Sequence, residues 1–426
     1  MNKKWISVWG NAVSIAENRP ESYSKNITLR YPIRCPFAGE SVKLTMDNYC
    51  GTDDIKISKM TILVNGVFYT VSFSGCSSTT IAAGCSVVSD EIDIAVTLGS
   101  ELQVSFYLED YTQMRSAVYV QGPLSGGSYC IGDGTAMESF PIDISRKTNI
   151  VYFLTDVSVN AITDASSTIC SNNDAPADDY SFSKATDVSG TSITGNVAGC
   201  TKVPIVSGSS NTATTPHCIL CYGDSITAQD WPDYLALRSS ELGINNVSVI
   251  RKATSGSRIL REYNCITYES YGLKAINRFP HEIPSANGVD TIILQQGIND
   301  IIHPVGVEIN PFRPMSDLPS IDELIEGFKY YIEEAHKLGL KVYAGTLLPI
   351  KGWRTYADFR DVLRNQFNDF LRTTNLLDGC IDFDLAVRNP EDPAAFLPKY
   401  DSGDHLHPSA AGYKAMAEAV PVELLR

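Results

Sequence analysis

The sequence predicts two unlike domains in one chain: an all-β sandwich of jelly-roll type, followed by an α/β domain on a parallel five-stranded sheet. Two observations predict it. Apolar residues alternate with polar ones through residues 1–163, the period of strands with one buried face. From residue 217 onward, strand-like and helix-like segments take turns, which implies a parallel sheet covered by helices on both faces. At 426 residues, 43% of them hydrophobic, the chain is long enough for two cores.

In the first domain Ile27, Leu29, Tyr31 and Ile33 share one strand face, as do Ile92, Ile94, Val96 and Leu98. Leu102, Val104, Phe106 and Leu108 alternate with Gln103, Ser105, Tyr107 and Glu109. Asn65-Gly66 separates the apolar run 62–64 from a strand at 67–73; both turn residues tolerate positive φ, so a tight hairpin is expected. No helix is expected before residue 163. Residues 164–215 are rich in Ser, Thr, Asn, Asp, Ala and Gly, which suits a linker, a surface excursion or a partly disordered segment.

The second domain is expected over 216–426. Strands are expected at 217–222, 247–250, 291–295, 341–348 and 380–383. A helix at 231–242 is closed by Gly243. The most regular helix opens on Ser320 and Glu323, which form a capping box. Its apolar stripe is Ile321, Leu324, Ile325, Phe328, Ile332, Ala335 and Leu338, and Gly339 ends it. Further helices are expected at 359–371 and 409–420.

Composition excludes several classes of function. A net charge of −15 does not suit a nucleic-acid surface, which needs basic patches. No apolar run is long enough to span a bilayer. Eleven cysteines, odd in number and irregularly spaced, do not form a disulfide framework. Cys218 and Cys221 make a lone CxxC on a predicted strand, where residues three apart face opposite ways; they read as buried strand cysteines, with no metal expected. Met1-Asn2-Lys3-Lys4-Trp5 is not followed by an apolar signal core. As it stands the sequence reads as cytoplasmic, or as secreted if a leader has been removed. No cofactor is expected, and oligomeric state is open.

In parallel sheets of this kind, ligands bind at the carboxyl ends of the strands. The small polar loops there are Gly223-Asp224-Ser225, Ser255-Gly256-Ser257, Gly297-Ile298-Asn299-Asp300 and, before the last helix, Asp404-His405-Leu406-His407-Pro408. A serine nucleophile needs an adjacent base. His407 can be that base, and Asp404, three residues earlier, can hold its other ring nitrogen. The N–H groups of Ser225 and Gly256 and the Asn299 side-chain amide can stabilise an oxyanion. His405 competes with His407, but Asp404 reaches three residues on more naturally than to its neighbour. Asp224 reads as a brace for the nucleophile loop. Trp231, Arg258, Trp353 and Tyr400 lie near the predicted rim as candidate substrate-binding residues. His303 either lines the pocket or is a plain loop residue, and His336 is an ordinary surface histidine in the last turn of a helix.

These loops resemble the sequence blocks of the SGNH/GDSL hydrolases. Gly223-Asp224-Ser225 is similar to the first block, Gly256 to the second, Gly297 to Asp300 to the third and Asp404 to His407 to the fifth. The defining letters fall on Ser225, Gly256, Asn299 and His407. Trp9-Gly10-Asn11-Ala12 and Asp47-Asn48-Tyr49-Cys50-Gly51 resemble the β-sandwich that precedes the hydrolase domain in one bacterial subgroup. The resemblance implies a flavodoxin-like sheet of strand order 2-1-3-4-5 and a serine esterase with Ser225, His407 and Asp404 as its triad. It further suggests acetyl or other short acyl esters, on carbohydrates, as substrates. A lipase or lysophospholipase uses the same chemistry and is the first alternative; an acyltransferase is another. A glycan-binding module with weak or no catalysis is the alternative from a different class, although such a module needs no Ser-His-Asp set. No Gly-x-Ser-x-Gly elbow is present, which disfavours the α/β-hydrolase fold.

Overall fold

A computed structural model describes residues 3–15, 22–162 and 215–426. The segment expected at 164–215 lies outside the described residues, apart from Thr215.

The β part is built on two main antiparallel sheets, with three smaller ones beside them among the described residues. One places Lys3–Gly10, Leu154–Ile162, Gly39–Asp47 and Ser86–Val88 side by side, with Ile92–Val96 also paired to Gly39–Asp47. The other runs Ser145–Thr148, Gly127–Ile131, Ile27–Arg34, Glu101–Leu108, Lys59–Val64 and Val67–Thr70. The predicted alternation is what buries their shared core: Leu29, Tyr31, Val104 and Phe106 from the second sheet join Val42, Leu44, Val157 and Val159 from the first. The hairpin turns at Asn65 (φ 49°) and Gly66 (φ 76°), with Val64 paired to Val67.

The α/β part has strands β1 (His217–Gly223), β2 (Val247–Ala253), β3 (Val289–Gln295), β4 (Lys341–Gly345) and β5 (Gly379–Ile381). They are parallel, in the order β2-β1-β3-β4-β5, which is the expected 2-1-3-4-5. Its main helices are α1 (Trp231–Glu241), α2 (Ala275–Glu282), α3 (Ile321–Lys337), α4 (Asp358–Thr373) and α5 (Ala410–Ala419). Helix α1 packs with α5, and α3 packs with α2 and α4. From β1, Tyr222 meets Phe279 of α2 and Tyr331 of α3 at ring-centroid distances of 5.1 and 5.6 Å. Both bonds of the Ser320–Glu323 capping box are present. Cys218 and Cys221 are free and fully buried, and burial pushes both thiols up.

Several details differ from expectation. Leu98, expected on one face with Ile92, Ile94 and Val96, lies past the end of the strand Ile92–Val96 and is 50% exposed, and the strand expected at 67–73 stops at Thr70. Strand β4 stops at Gly345, because the side chains of α4 take over the next backbone groups: Asn368 accepts from Leu347 N (2.7 Å), and Asn368 and Arg364 donate to its carbonyl. Strand β5 stops at Ile381, where Asp382 caps the short helix Phe383–Val387 by accepting from Leu385 N. Leu338 lies past the end of α3 as its C-cap and is 48% exposed, so it leaves the apolar stripe. Helix α2 went unpredicted because Pro280 interrupts its pattern.

The described residues of the β part and of the α/β part form one compact unit. The strand Lys3–Gly10 lies along the edge strand β2, so closely that a Cβ on Gly10 would stand 3.3 Å from Ile250. The two parts share one apolar core, and buried polar contacts add to it. Lys252 donates to the carbonyls of Asn11 (2.8 Å) and Thr155 (2.9 Å), and Ser248 Oγ to that of Ser7 (2.6 Å). Arg251 pairs with Asp233 of α1 and donates to Ser125 Oγ. His281 of α2 stacks on Tyr49 at 3.8 Å and contacts Asp47 at 2.8 Å. Both motifs that suggested a bacterial two-domain subgroup therefore lie on this junction.

Candidate active site

The site starts with a tight turn at the end of β1. A Cβ on Gly223 would lie 2.3 Å from Thr227 Oγ1 and 2.5 Å from the Gln295 carbonyl, so only glycine permits this packing. Asp224 then caps the short helix Ser225–Ala228 through Ile226 N (3.1 Å), which puts Ser225 at the first helical position, 8% exposed. Burial raises the Asp224 carboxyl to about 7. It braces the turn, as expected, and Tyr222, Asp224 and Ile226 around the serine are all buried.

Ser225 Oγ lies 2.8 Å from His407 Nε2, and His407 Nδ1 lies 2.7 Å from Asp404 Oδ2. The loop holds Asp404 firmly: its Oδ1 accepts from the N–H groups of Leu406 (2.9 Å) and His407 (2.8 Å) and from Ser402 Oγ (3.1 Å). Burial works to raise its carboxyl, but the bonds from the His407 side chain and from these backbone groups outweigh it and hold the group well below the usual carboxylate range. A carboxylate there places the imidazole proton on Nδ1 and leaves Nε2 free to accept from Ser225. His405 faces elsewhere. Its Nδ1 pairs with Asp401 (2.5 Å), it is 47% exposed, and it holds a positive φ of 64°.

Gly256 and Asn299 stand on the neighbouring loops. Thr254 N donates to the Gly223 carbonyl (3.2 Å), which ties the Gly256 loop to the nucleophile turn. Gly256 has φ 76°, a conformation that favours glycine. Asn299, buried on the short helix Ile298–Ile302, donates to the Ser257 carbonyl at 3.1 Å. That bond uses one of the two hydrogens of its amide. Among the described residues, the backbone N–H groups of Ser225 and Gly256 have no partner. Asp300 clamps the following segment by accepting from Ile259 and Leu260 N (2.8 and 3.0 Å), and burial raises its carboxyl to about 6.

The four candidate substrate-binding residues separate. Trp353 stands edge-on to His407, with centroids 6.5 Å apart. Tyr400 is half-buried against the core, and its carbonyl accepts from Ser409 N at the start of α5. The other two need correction. Trp231 is fully buried, packed on Phe383 at 5.2 Å with its indole N–H toward Thr227. Its apolar bulk stabilises the core beneath the serine and has no surface to offer a substrate. Arg258 is 1% exposed, lies over the Tyr263 ring and is paired with Asp317 at 3.1 Å, so its charge is already committed.

Sequence reading missed Tyr271, whose ring lies against Gly256: a Cβ on that glycine would stand 2.4 Å from Tyr271 Cγ. Tyr271 stacks on buried His303 at 5.3 Å, and Tyr263 and Tyr268 complete the cluster. Burial, with Arg313, Arg258 and Arg354 nearby, keeps the His303 imidazole neutral by driving its pKa well down. Only the unusual density of Tyr in 263–271 marks this cluster in the sequence.

The model of the family described as "GDSL-like Lipase/Acylhydrolase" matches residues 208–420, half of the chain. No curated protein matches. Solved structures similar to it include a GDSL-like lipase from Bacteroides thetaiotaomicron (15% identity, covering 49% of this chain and 87% of that one, TM-score 0.34). An acetylxylan esterase from Geobacillus stearothermophilus is 17% identical, covering 48% and 92% with a TM-score of 0.36. A putative acylhydrolase from Bacteroides fragilis is also 17% identical, covering 50% and 93% with a TM-score of 0.35. By the family match, with the parallel sheet and its polar rim already in view, the chain belongs to the GDSL-like lipase/acylhydrolase family and is a carboxylic ester hydrolase.

Proposed function

We propose that the protein is a serine esterase that removes short acyl groups, acetyl foremost, from carbohydrate esters. The observation that carries the mechanism is the unbroken hydrogen-bonded file Ser225–His407–Asp404. Ser225 Oγ attacks the ester carbonyl while its proton passes to His407 Nε2. The oxyanion is received by the N–H groups of Ser225 and Gly256 and the Asn299 amide. Cleavage of the C–O bond returns the proton from His407 to the departing alcohol, leaving Ser225 acylated. Water then attacks the acyl-enzyme, again giving its proton to His407, and the free acid leaves as Ser225 is restored. Asp404, held as a carboxylate, stabilises the imidazolium formed in each half.

For the alcohol side, the reading draws on the half-buried rings of Tyr268 and Tyr271, backed by buried Tyr263 and His303, and on Trp353 beside His407. Aromatic faces with polar edges suit a polyhydroxylated ring. One observation favours longer acyl chains instead: Val307, Ile309, Phe312 and Met315, in the segment after His303, are all exposed.

Initial rates on p-nitrophenyl acetate and p-nitrophenyl octanoate, for the wild type and Ser225→Ala, test both parts. Acetate preferred, with the rate lost in the variant, is the expected result, and release of acetate from acetylated xylan would extend it to carbohydrate. Octanoate preferred would keep the nucleophile and move the substrate to lipids. Equal rates in the two proteins would remove Ser225 from catalysis and leave a glycan-binding role as the better reading.

A further inference from the structure

We infer that the β part is a positioning element of the reaction: Arg115, acting through Glu269 and Tyr271, fixes the Gly256 N–H where the oxyanion forms. The inference rests on the proposed role of Gly256. It starts from the 3₁₀ helix Ile266–Tyr271, which carries the ring that covers Gly256. A short 3₁₀ segment has weak hydrogen-bond geometry and needs outside support to keep one position.

That support comes from the β part on two sides. Arg115 meets Glu269 through both terminal guanidinium nitrogens, one of them at 3.3 Å, in a forked ion pair whose side chains are 12% and 26% exposed. Paired forks of this kind fix orientation as well as distance. Arg115 is itself anchored, since its Nε donates to the Cys50 carbonyl (2.9 Å) and Cys50 N donates to Ser116 Oγ (3.0 Å). At the far end of the 3₁₀ helix, Gly272 (φ 75°) presses on Ser14: a Cβ there would lie 2.5 Å from Ser14 Oγ and 3.2 Å from Thr254 Cγ2. Ser14 therefore reaches the end of the Tyr271 helix beside Thr254, whose own N–H holds the nucleophile turn.

The consequence is geometric. Arg115 and Glu269 touch neither substrate nor triad, so both are positioning residues. A shift of the 3₁₀ helix would release the Tyr271 ring from Gly256, and the loop 254–257 would lose its lid. Misplacing a catalytic group by about 1 Å costs up to roughly 100-fold in rate.

The test uses the full chain, with p-nitrophenyl acetate as substrate. Glu269→Gln keeps the shape and removes the charge; Arg115→Met removes the fork; Arg115→Glu with Glu269→Arg restores a pair of reversed sign. The expected result for each single variant is a fall in kcat of about 10- to 100-fold, with KM within about two-fold and an unchanged pH profile. The reversed pair is expected to recover most of the rate. A merely structural role would lower the melting temperature and leave kcat per folded molecule intact, and that outcome would overturn the inference. If Arg115→Met does not fold, Glu269→Gln decides. Ser225→Ala, run beside them, separates the two readings. If it is inactive while Glu269→Gln keeps full kcat, only the positioning role falls; if it is active, the serine mechanism itself falls.

Discussion

Replacing Asp224 by asparagine should stabilise the protein at pH 8, and by clearly less at pH 5. Asp224 is 1% exposed, and burial lifts its carboxyl from the ordinary 3.8 to about 7, against the opposing effects of Ile226 N and His407. A pKa higher in the folded protein than in the unfolded chain means that the folded state holds the proton more tightly. That contribution is complete below the unfolded value of about 3.9, declines as pH rises, and is lost above the folded value. At about 1.36 kcal/mol for each tenfold change, the loss by pH 8 comes to about 2–4 kcal/mol. Asparagine keeps an oxygen to accept from Ile226 N and carries no charge at any pH, so this loss disappears. Asp300, itself raised to about 6 by burial, adds to the penalty on a charged Asp224 and is present in both proteins. Urea unfolding of wild type and variant at the two pH values measures it. A stability gap that stays the same from pH 5 to pH 8, or a variant weaker than wild type at pH 8, would refute the assignment of a buried, proton-retaining Asp224.

Asn299→Ala should lower kcat by about 100- to 1,000-fold, equal to about 2.7–4 kcal/mol, and leave KM nearly alone; steady-state kinetics on the acetate ester read this directly. Trp231→Ala should cost about 3–5 kcal/mol of stability without altering the acetate-to-octanoate rate ratio, since its indole lies in the core; a changed ratio would return it to the substrate site. Ser320→Ala should cost about 1 kcal/mol through the lost helix cap and leave the esterase rate unchanged, as denaturant titration beside the standard assay will show.

What the sequence makes legible is whatever follows from local rules. The strands containing Leu29 and Val104 show in their alternation because one face is buried, and α3 shows in its capping box and stripe. Ser225, Asn299, Asp404 and His407 show because each stands in a short loop whose residue types have few other uses together. Helix α2 is hidden by Pro280, which breaks the period yet is tolerated in a helix of eight residues. The misplacement of Trp231 and Arg258 has a common cause: nearness to the rim in sequence does not fix which way a side chain turns. One turns into the core, and the other is held over the Tyr263 ring by Asp317. Tyr271 against Gly256 and Arg115 against Glu269 are long-range contacts that no spacing announces.

The lysine at the junction constrains how such a chain can be inherited. Lys252 is fully buried, its charge disfavoured by that burial, and the two groups that receive its protons are carbonyls of Asn11 and Thr155. Those residues lie near opposite ends of the β part in sequence, so a sandwich shortened at either end would lose an acceptor. An unsatisfied ammonium in that position costs several kcal/mol, a large share of what holds an ordinary domain folded. The β part is thus a poor candidate for trimming. Recombination that trims it should yield chains that fail before any question of catalysis arises.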